Sequence, residues 1–316
     1  MAKTAGAPAR RRDRLPLVPV EPPPGGKAGP PGQVPAPVVR LTAADARRER
    51  DLLAAEEPLE IRLRAGGDER VVAVTMRTPG HDAELAAGFL FAERLLSSAA
   101  DLRGIASPDP VASRPAAPGS AGCDNRVFVE LAAARLPELA PLERHFFATS
   151  ACGVCGKAGL EALSLGGDRA PLPVEWTVER ATLAALPARL AAAQGLFAAT
   201  GGLHAAALFT PEGELVAVRE DVGRHNALDK LIGRALLDGR LPLSRGVVLV
   251  SGRSSFEILQ KCLAARVAVV CSVSAPSSLA VEVARRFGIT LVGFLRGERA
   301  NVYAVPERVA GLPAAL

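Results

Sequence analysis

The chain has 316 residues, 49% of them hydrophobic and 22% charged, which is enough for one large or two ordinary domains with real cores and excludes wholesale disorder. Five cysteines are too few, and odd in number, for a disulfide framework, so a reducing compartment is expected. The net charge of +5 sits wholly in residues 1–40, with seven basic and two acidic side chains; the remainder balances at 31 of each, and with aromatics at 4% it offers no base-stacking platform, which argues against nucleic-acid binding.

Ten of the 26 prolines fall in residues 1–40. With so little apolar surface, residues 1–38 are expected to form a disordered Pro/Arg-rich tail. Arg10, Arg11 and Arg12 are followed by Pro-rich sequence rather than an apolar stretch, so they do not read as a twin-arginine export signal. No run of about 18 apolar residues exists to span a membrane; the stretch 181–209 comes nearest and is broken by Pro187, Arg189, Gln194 and Gly195.

Residues 39–120 are expected to form an N-terminal α+β subdomain. Leu59 to Arg64 alternates with period two and Arg70 to Met76 is a second strand candidate. Thr78-Pro79-Gly80 is a turn, after which Asp82 is expected to cap a helix through Leu85, Phe89 and Leu95. Residues 107–125, rich in Pro, Gly and Ser, mark a boundary or a mobile insertion. A second domain is expected over 121–316, beginning with a strand at Arg126–Leu131.

From residue 213 the pattern becomes strand, polar loop, helix, repeated. Gly213–Glu220 leads through Asp221, Arg224, His225 and Asn226 to a helix; Gly246–Val250 through Arg253, Ser254 and Ser255; Val267–Val273 through Ser274, Ser277 and Ser278; Thr290–Leu295 ends on Arg296-Gly297-Glu298-Arg299. This predicts an α/β fold with a mainly parallel sheet and helices on both faces. In such sheets ligands bind beyond the carboxyl ends of the strands, where helix N-termini point. Serine and arginine donors gathered there suit a large anionic ligand, although each serine alone also suits helix capping. Neither a P-loop nor a dinucleotide fingerprint is present.

The most pointed local signal is Cys152-Gly153-Val154-Cys155-Gly156. Two thiols three positions apart, at the expected start of a helix and beside Lys157, are set to form a thiolate, with a pKa below the usual value of roughly 8.5. A zinc site lacks a second close pair, because Cys123 stands alone and Cys262 and Cys271 are nine apart; both of the latter read as core residues. No metal site is expected. A thioredoxin-like switch would place the motif after one early strand of a small domain. A zinc deaminase needs H-x-E and Pro before the first cysteine, and here Ala151 precedes it. His204 reads either as a satisfied buried histidine or as a site residue.

The ordered set of Thr78-Pro79, Ala87-Gly88-Phe89, C-G-V-C-G at 152–156, Gly202-Leu203-His204-Ala205-Ala206, the run Glu220 to Lys230, Ser251-Gly252-Arg253, Ser274-Ala275-Pro276, Leu291 to Phe294 and Val302-Tyr303 resembles the formate dehydrogenase accessory sulfurtransferases, the FdhD family. The resemblance implies a cytidine-deaminase-like core. It implies a cytoplasmic homodimer that takes sulfur from a cysteine desulfurase as a persulfide on the C-x-x-C loop. The sulfur goes to the molybdenum cofactor of formate dehydrogenase, a bis(molybdopterin guanine dinucleotide) for which GDP is a mimic. Cys152 is then the expected carrier and Cys155 a relay or resolving thiol. The cofactor-binding stretch falls on Phe294, Leu295, Arg296, Gly297, Glu298 and Arg299, where the family commonly has Gly in place of Glu298. Arg253, Ser254, Asp221, Arg224, His225, Asn226 and Ser274 complete the expected site. A dithiol oxidoreductase and a non-catalytic cofactor chaperone are the competing functions.

Overall fold

The computed structural model describes residues 32–107, 125–137 and 170–312. The C-G-V-C-G motif and Cys123 lie outside these residues. Strands β1 (Gln33–Leu41) and β2 (Ala46–Ala54) form an antiparallel ribbon that is almost wholly exposed. The expected tail of residues 1–38 therefore overreaches, because residues 33–38 are strand. Pro35 and Pro37 stand two apart and can both turn their missing N–H groups to the unpaired side of such a ribbon. The expected start of the first subdomain at residue 39 falls inside β1.

Strands β3 (Glu57–Ala65), β4 (Asp68–Arg77), β5 (Leu102–Ala106) and β6 (Arg126–Leu131) form a sheet in the order β4-β3-β6-β5. Period-two alternation explains its faces: Leu59, Ile61, Leu63 and Ala65 are buried against Leu85, Ala86 and Leu90 of helix α1 (Asp82–Ala92). On the other face Arg62 pairs with Glu60 and Glu69, each at 2.5 Å, and the Arg64 guanidinium lies 3.8 Å from the Phe128 ring centroid. The expected domain boundary at 120/121 is overturned, because β6 joins this first sheet, parallel to β3. His81, at φ 59°, rather than Asp82, takes the position before α1, and Asp82 instead receives two hydrogen bonds from Arg77. The helix stops at Ala92, short of Leu95, where Arg94 turns left-handed at φ 63°.

The second sheet has six strands in the order β13-β12-β11-β10-β8-β9. They are β8 (His204–Phe209), β9 (Leu215–Asp221), β10 (Val247–Val250), β11 (Val269–Ser272), β12 (Thr290–Arg296) and β13 (Arg299–Ala304). The expectation of a mainly parallel sheet is corrected: β10–β11 and β11–β12 are parallel, whereas β8–β9, β8–β10 and β12–β13 are antiparallel. The cause is the hairpin turn at Gly213 (φ 85°), which folds β9 back along β8 and lets β8 insert beside β10. Strands β9 to β12 nevertheless run in one direction, so their carboxyl ends share one edge.

Both faces of this sheet are covered. Helices α4 (Arg224–Leu237), α5 (Phe256–Ala264) and α6 (Ser278–Phe287) bury Leu228, Ile258 and Val283 against Val248, Val250 and Val270 on one side. Helix α2 (Arg180–Ala193) buries Leu183, Leu186 and Leu190 against Ala207, Leu249 and Val292 on the other. It is followed by the short α3 (Gly195–Thr200). Cys262 and Cys271 are fully buried among these residues, and burial pushes both thiols up to about 12. The parallel pair β7 (Val178–Glu179) and β14 (Val309–Ala310) adds Val178 and Val309 to the core on the α2 side.

Three features lock the parts together. Helices α1 and α4 touch through Gly88 and Gly233, and a Cβ on Gly88 would lie 2.8 Å from the Gly233 nitrogen. Nearby, Lys261 donates to both oxygens of buried Asp229 at 2.7 and 2.9 Å. Burial would lower the Lys261 ammonium, but the carboxylates of Asp229, Glu93 and Glu257 together outweigh this and hold it above its ordinary value. Elsewhere the fully buried Arg308 guanidinium reaches the carbonyls of Ala268, Gly288, Leu172 and Pro173 and the Thr290 hydroxyl at 2.8–3.3 Å. Burial lowers its pKa, with Glu307 opposing.

Candidate functional site

The common carboxyl edge gathers the expected ligand residues, but it uses them in two different ways. At the end of β9, Asp221 is fully buried. Its carboxylate accepts from Thr78 N at 3.1 Å, Gly223 N at 2.8 Å and Asn226 Nδ2 at 3.2 Å, and stands 2.7 Å from Lys230 Nζ. Lys230 also donates to Thr78 O at 2.8 Å, Asn226 Nδ2 to Met76 O at 2.7 Å, and Val222 N to Thr78 Oγ1 at 3.1 Å. Asp221 and Asn226 are thus turned inward. They shape the β9–α4 turn and tie it to residues 76–78 of the first sheet.

The outward residues lie on the next loops. Arg224 and His225 open α4, whose N-cap Gly223 makes no side-chain cap. His225 Nε2 is 2.9 Å from Glu257 Oε2 and 3.4 Å from Ser255 Oγ, so the starts of α4 and α5 adjoin. The hydrogen bond from His225 holds the Glu257 carboxyl below its usual range, against the opposing effect of burial. Ser255, the N-cap of α5, makes no side-chain cap either. By contrast, Ser277 caps α6 by accepting from Ala280 N at 3.2 Å. Arg253 is exposed, and Ser254 is fully buried.

The strip Phe294–Arg299 forms the junction of β12 and β13, and its parts differ. Phe294 is exposed in a left-handed conformation at φ 52°, with its N–H donating to Ser274 O at 3.1 Å. Leu295 is buried in the core, so its side chain faces away from this edge. Arg296 Nε donates to Val273 O at 3.3 Å. Gly297, at φ 55°, and Glu298 make the turn between Arg296 and Arg299, and these last four residues are exposed. Ser274 is half-buried, and its carbonyl also accepts from Ser272 Oγ at 2.8 Å.

Two neighbours join this edge, one left open between two readings in the sequence and one not singled out there. Because β8 runs against β9, its first residue His204 pairs with Asp221 and reaches this same edge. The ring faces Gly252, where a Cβ would lie 3.5 Å from His204 Nδ1 and 3.6 Å from Arg224 Cδ. Burial, then the charges of Arg224 and His225, push the His204 pKa down, so near neutral pH the ring is an uncharged hydrogen-bonding group. Glu257 was hidden inside a helix; a carboxylate one turn from a serine-rich loop was the available signal. Among the described residues no cluster of three or more His, Cys, Asp or Glu could hold a metal ion, and no helix is long and apolar enough to cross a membrane.

A three-layered α/β domain joined to a smaller α+β sheet, with Ser-, Arg- and His-bearing loops on one sheet edge, has a match among solved structures. A formate dehydrogenase accessory protein from Desulfotalea psychrophila, so described, superposes with a TM-score of 0.66 at 28% identity, covering 88% of this chain and all of that one. The chain belongs to the FdhD/NarQ family, whose profile matches residues 54–310. It is 52% identical over 278 residues to the sulfur carrier protein FdhD of Streptomyces coelicolor, covering 86% of this chain and 94% of that protein. It is 41% identical over 259 residues to the protein of that name from Sulfolobus acidocaldarius, covering 82% and 91%.

Proposed function

We propose that this chain is a cytoplasmic, homodimeric sulfur carrier that loads sulfur on Cys152 and delivers it to the molybdenum cofactor of a formate dehydrogenase. The observation that carries this reading is the C-G-V-C-G motif lying inside the residues matched by the FdhD/NarQ family. In the loading step the Cys152 thiolate attacks the outer sulfur of a persulfide on a cysteine desulfurase. The sulfur–sulfur bond of the donor breaks, its cysteine leaves as a thiolate, and Cys152 keeps the added sulfur. Cys155 relays the sulfur, or resolves the persulfide by attacking Cys152 Sγ, forming a disulfide and releasing hydrosulfide.

The client is the bis(molybdopterin guanine dinucleotide) cofactor, written here as cargo. Its phosphates and guanines suit the outward residues of the carboxyl edge, Arg253, Arg224, His225 and Ser274, with Phe294, Arg296, Gly297, Glu298 and Arg299 beside them and Ser254 beneath. Asp221 and Asn226 build the edge from within.

The test is mass spectrometry of the full chain after incubation with a cysteine desulfurase and cysteine. One added sulfur is expected on the peptide holding Cys152 and Cys155, and none on that peptide from Cys152→Ser. Activation of formate dehydrogenase by Cys152→Ser at the wild-type level would overturn the carrier role and leave a cofactor chaperone. Disulfide reduction without sulfur uptake would indicate a dithiol oxidoreductase.

A further inference from the structure

A lone two-stranded hairpin is marginally stable in water. The β1–β2 ribbon nevertheless pairs nine residues on each strand with almost every side chain exposed, and at strand geometry it is roughly 30 Å long. Residues directly opposite one another share a face, so the register separates two faces of different character. On one, Arg40 Nε stands 2.7 Å from Glu49 Oε2, and charge is met within the ribbon. On the other, Pro35 lies opposite Leu52, Pro37 opposite Arg50, Val39 opposite Arg48 and Leu41 opposite Ala46. Val39 is 56% exposed and Leu41 74%. This second face carries no carboxylate, and Arg48 and Arg50 have no ion-pair partner among the described residues.

A surface of complementary character lies on the same molecule. The end of α2 and the β8–β9 hairpin border an open cleft of about 560 Å³, lined by Arg189, Ala192, Ala193, Gly213, Glu214 and Leu215. Leu215 is exposed, as is Val216 beside it. Glu214 and Glu212, in the same hairpin turn, are exposed and have no cation beside them among the described residues. The one cation of the wall, Arg189, donates from Nη1 to Gly213 O. The cleft therefore presents apolar surface and two unmet carboxylates, and the ribbon presents apolar surface and two unmet guanidinium groups. The ribbon does not cover the cleft of its own chain, since both are exposed there.

We infer that the β1–β2 ribbon is a dimerisation arm. Its Val39 and Leu41 face seats in the α2/β8–β9 cleft of a second copy of this chain, with Arg48 and Arg50 against Glu212 and Glu214 of that copy. The two surfaces adjoin on one molecule: α3 follows directly on α2 and packs at the root of the ribbon, where a Cβ on Gly32 would lie 3.1 Å from Leu196 Cδ1. A twofold axis at this place lets each arm cross to the other copy's cleft, and the exchange closes as a symmetric pair. At about 30 Å by about 10 Å, one ribbon face covers about 300 Å². Two reciprocal seatings then bury about 1,200 Å² over both copies, the lower bound for a stable interface. The inference rests on the homodimer reading above and deepens it by assigning the interface.

Sedimentation velocity of the full-length chain over a range of concentrations is the test. The wild type should dimerise. An arm variant, Arg48→Glu with Arg50→Glu, and a cleft variant, Glu212→Arg with Glu214→Arg, each set like charges against one another at both seatings. Each should dimerise about 100-fold more weakly or worse. Mixed in equal amounts, the two variants should form a heterodimer close to wild-type affinity, because the reversed arm then meets the reversed cleft and the native arm meets the native cleft. That restoration also reports that both variants are folded. A dimer of either variant as tight as wild type, or two weak variants that mixing does not restore, would overturn the arm and leave the homodimer reading standing. A wild type that stays monomeric at every concentration would overturn both.

Discussion

Replacing Gly88 by alanine sets two effects of opposite sign against each other. Gly88 lies in the interior of α1, where alanine is favoured over glycine by about 1 kcal/mol. The new Cβ, however, would stand 2.7 Å from the Asp229 carbonyl carbon and 2.8 Å from Gly233 N, and closer still to the Asp229 oxygen. All three are backbone atoms of α4, which cannot swing aside as a flexible side chain can. Ordinary contact begins near 3.4 Å, so the two helices must separate by more than half an ångström. That separation loosens Leu85, Leu90 and Leu236, which share one core. Overpacking of this kind costs about 1–3 kcal/mol. With backbone on both sides the cost falls in the upper part of that range, and less the helix gain it leaves a net loss of about 1–2 kcal/mol, a fall in Tm of roughly 2–8 °C for a domain of this size. Gly104→Ala is the control, since Gly104 is exposed and nothing lies within 4 Å of its would-be Cβ. Thermal melts followed by circular dichroism make the comparison. A Gly88→Ala protein as stable as the wild type, or more stable, would refute the argument from close backbone approach.

Three other outcomes follow from the geometry. Lys261→Met strands the Asp229 carboxylate in the core and should cost about 3–5 kcal/mol, while Lys261→Met with Asp229→Leu should recover most of it; denaturant midpoints that rank the double variant below the single one would contradict this. Burial would raise the Glu84 carboxyl, but hydrogen bonds from Arg219 and His81 outweigh it and bring the pKa from 4.5 down to about 2. The folded pKa is thus the lower one, so Glu84 contributes its full stabilisation above about pH 4.5 and loses it as the pH falls through about 2. Tm measured along that acid limb should fall less steeply for Glu84→Gln, and parallel curves would disprove the link. Finally, with Cys262 and Cys271 pushed up to about 12 and fully buried, iodoacetamide at mildly alkaline pH should leave both unmodified in the native protein. Peptide mapping that finds either one alkylated before unfolding would show the core to be open.

The shared direction of β9 to β12 was legible because each strand, loop and helix is a local unit with its own periodicity. The pairing was not, since inserting β8 between β9 and β10 depends on contacts that no single window contains. The same distinction governs the site. Arg253 and Ser254 stand on the β10–α5 loop, as a polar segment between a buried strand and a helix predicts. Asp221 and Asn226 look the same in sequence, yet their partners are Thr78 and Met76, 143 and 150 residues earlier. A buried knot and a ligand shell use the same residue types, and only the fold tells them apart. Residues 33–38 were misread for a related reason: proline counts as a breaker in a window, but an exposed two-stranded ribbon tolerates it.

Arg308 gives the order of manufacture a role. Its guanidinium holds Leu172 and Pro173, 136 and 135 residues earlier, which lie downstream of the cysteine pair. A chain is made from its N-terminus, so these two residues leave the ribosome long before their clasp exists. A product stopped just short of Arg308 would still contain every strand of the six-stranded sheet. It would lack the side chain that joins Leu172 and Pro173 to the Ala268, Gly288 and Thr290 acceptors. Arg308 is thus the last of several ties on a segment that Phe287 O, Arg266 and Ser244 O also hold, so residues 170–176 gain their contacts in stages as the chain lengthens.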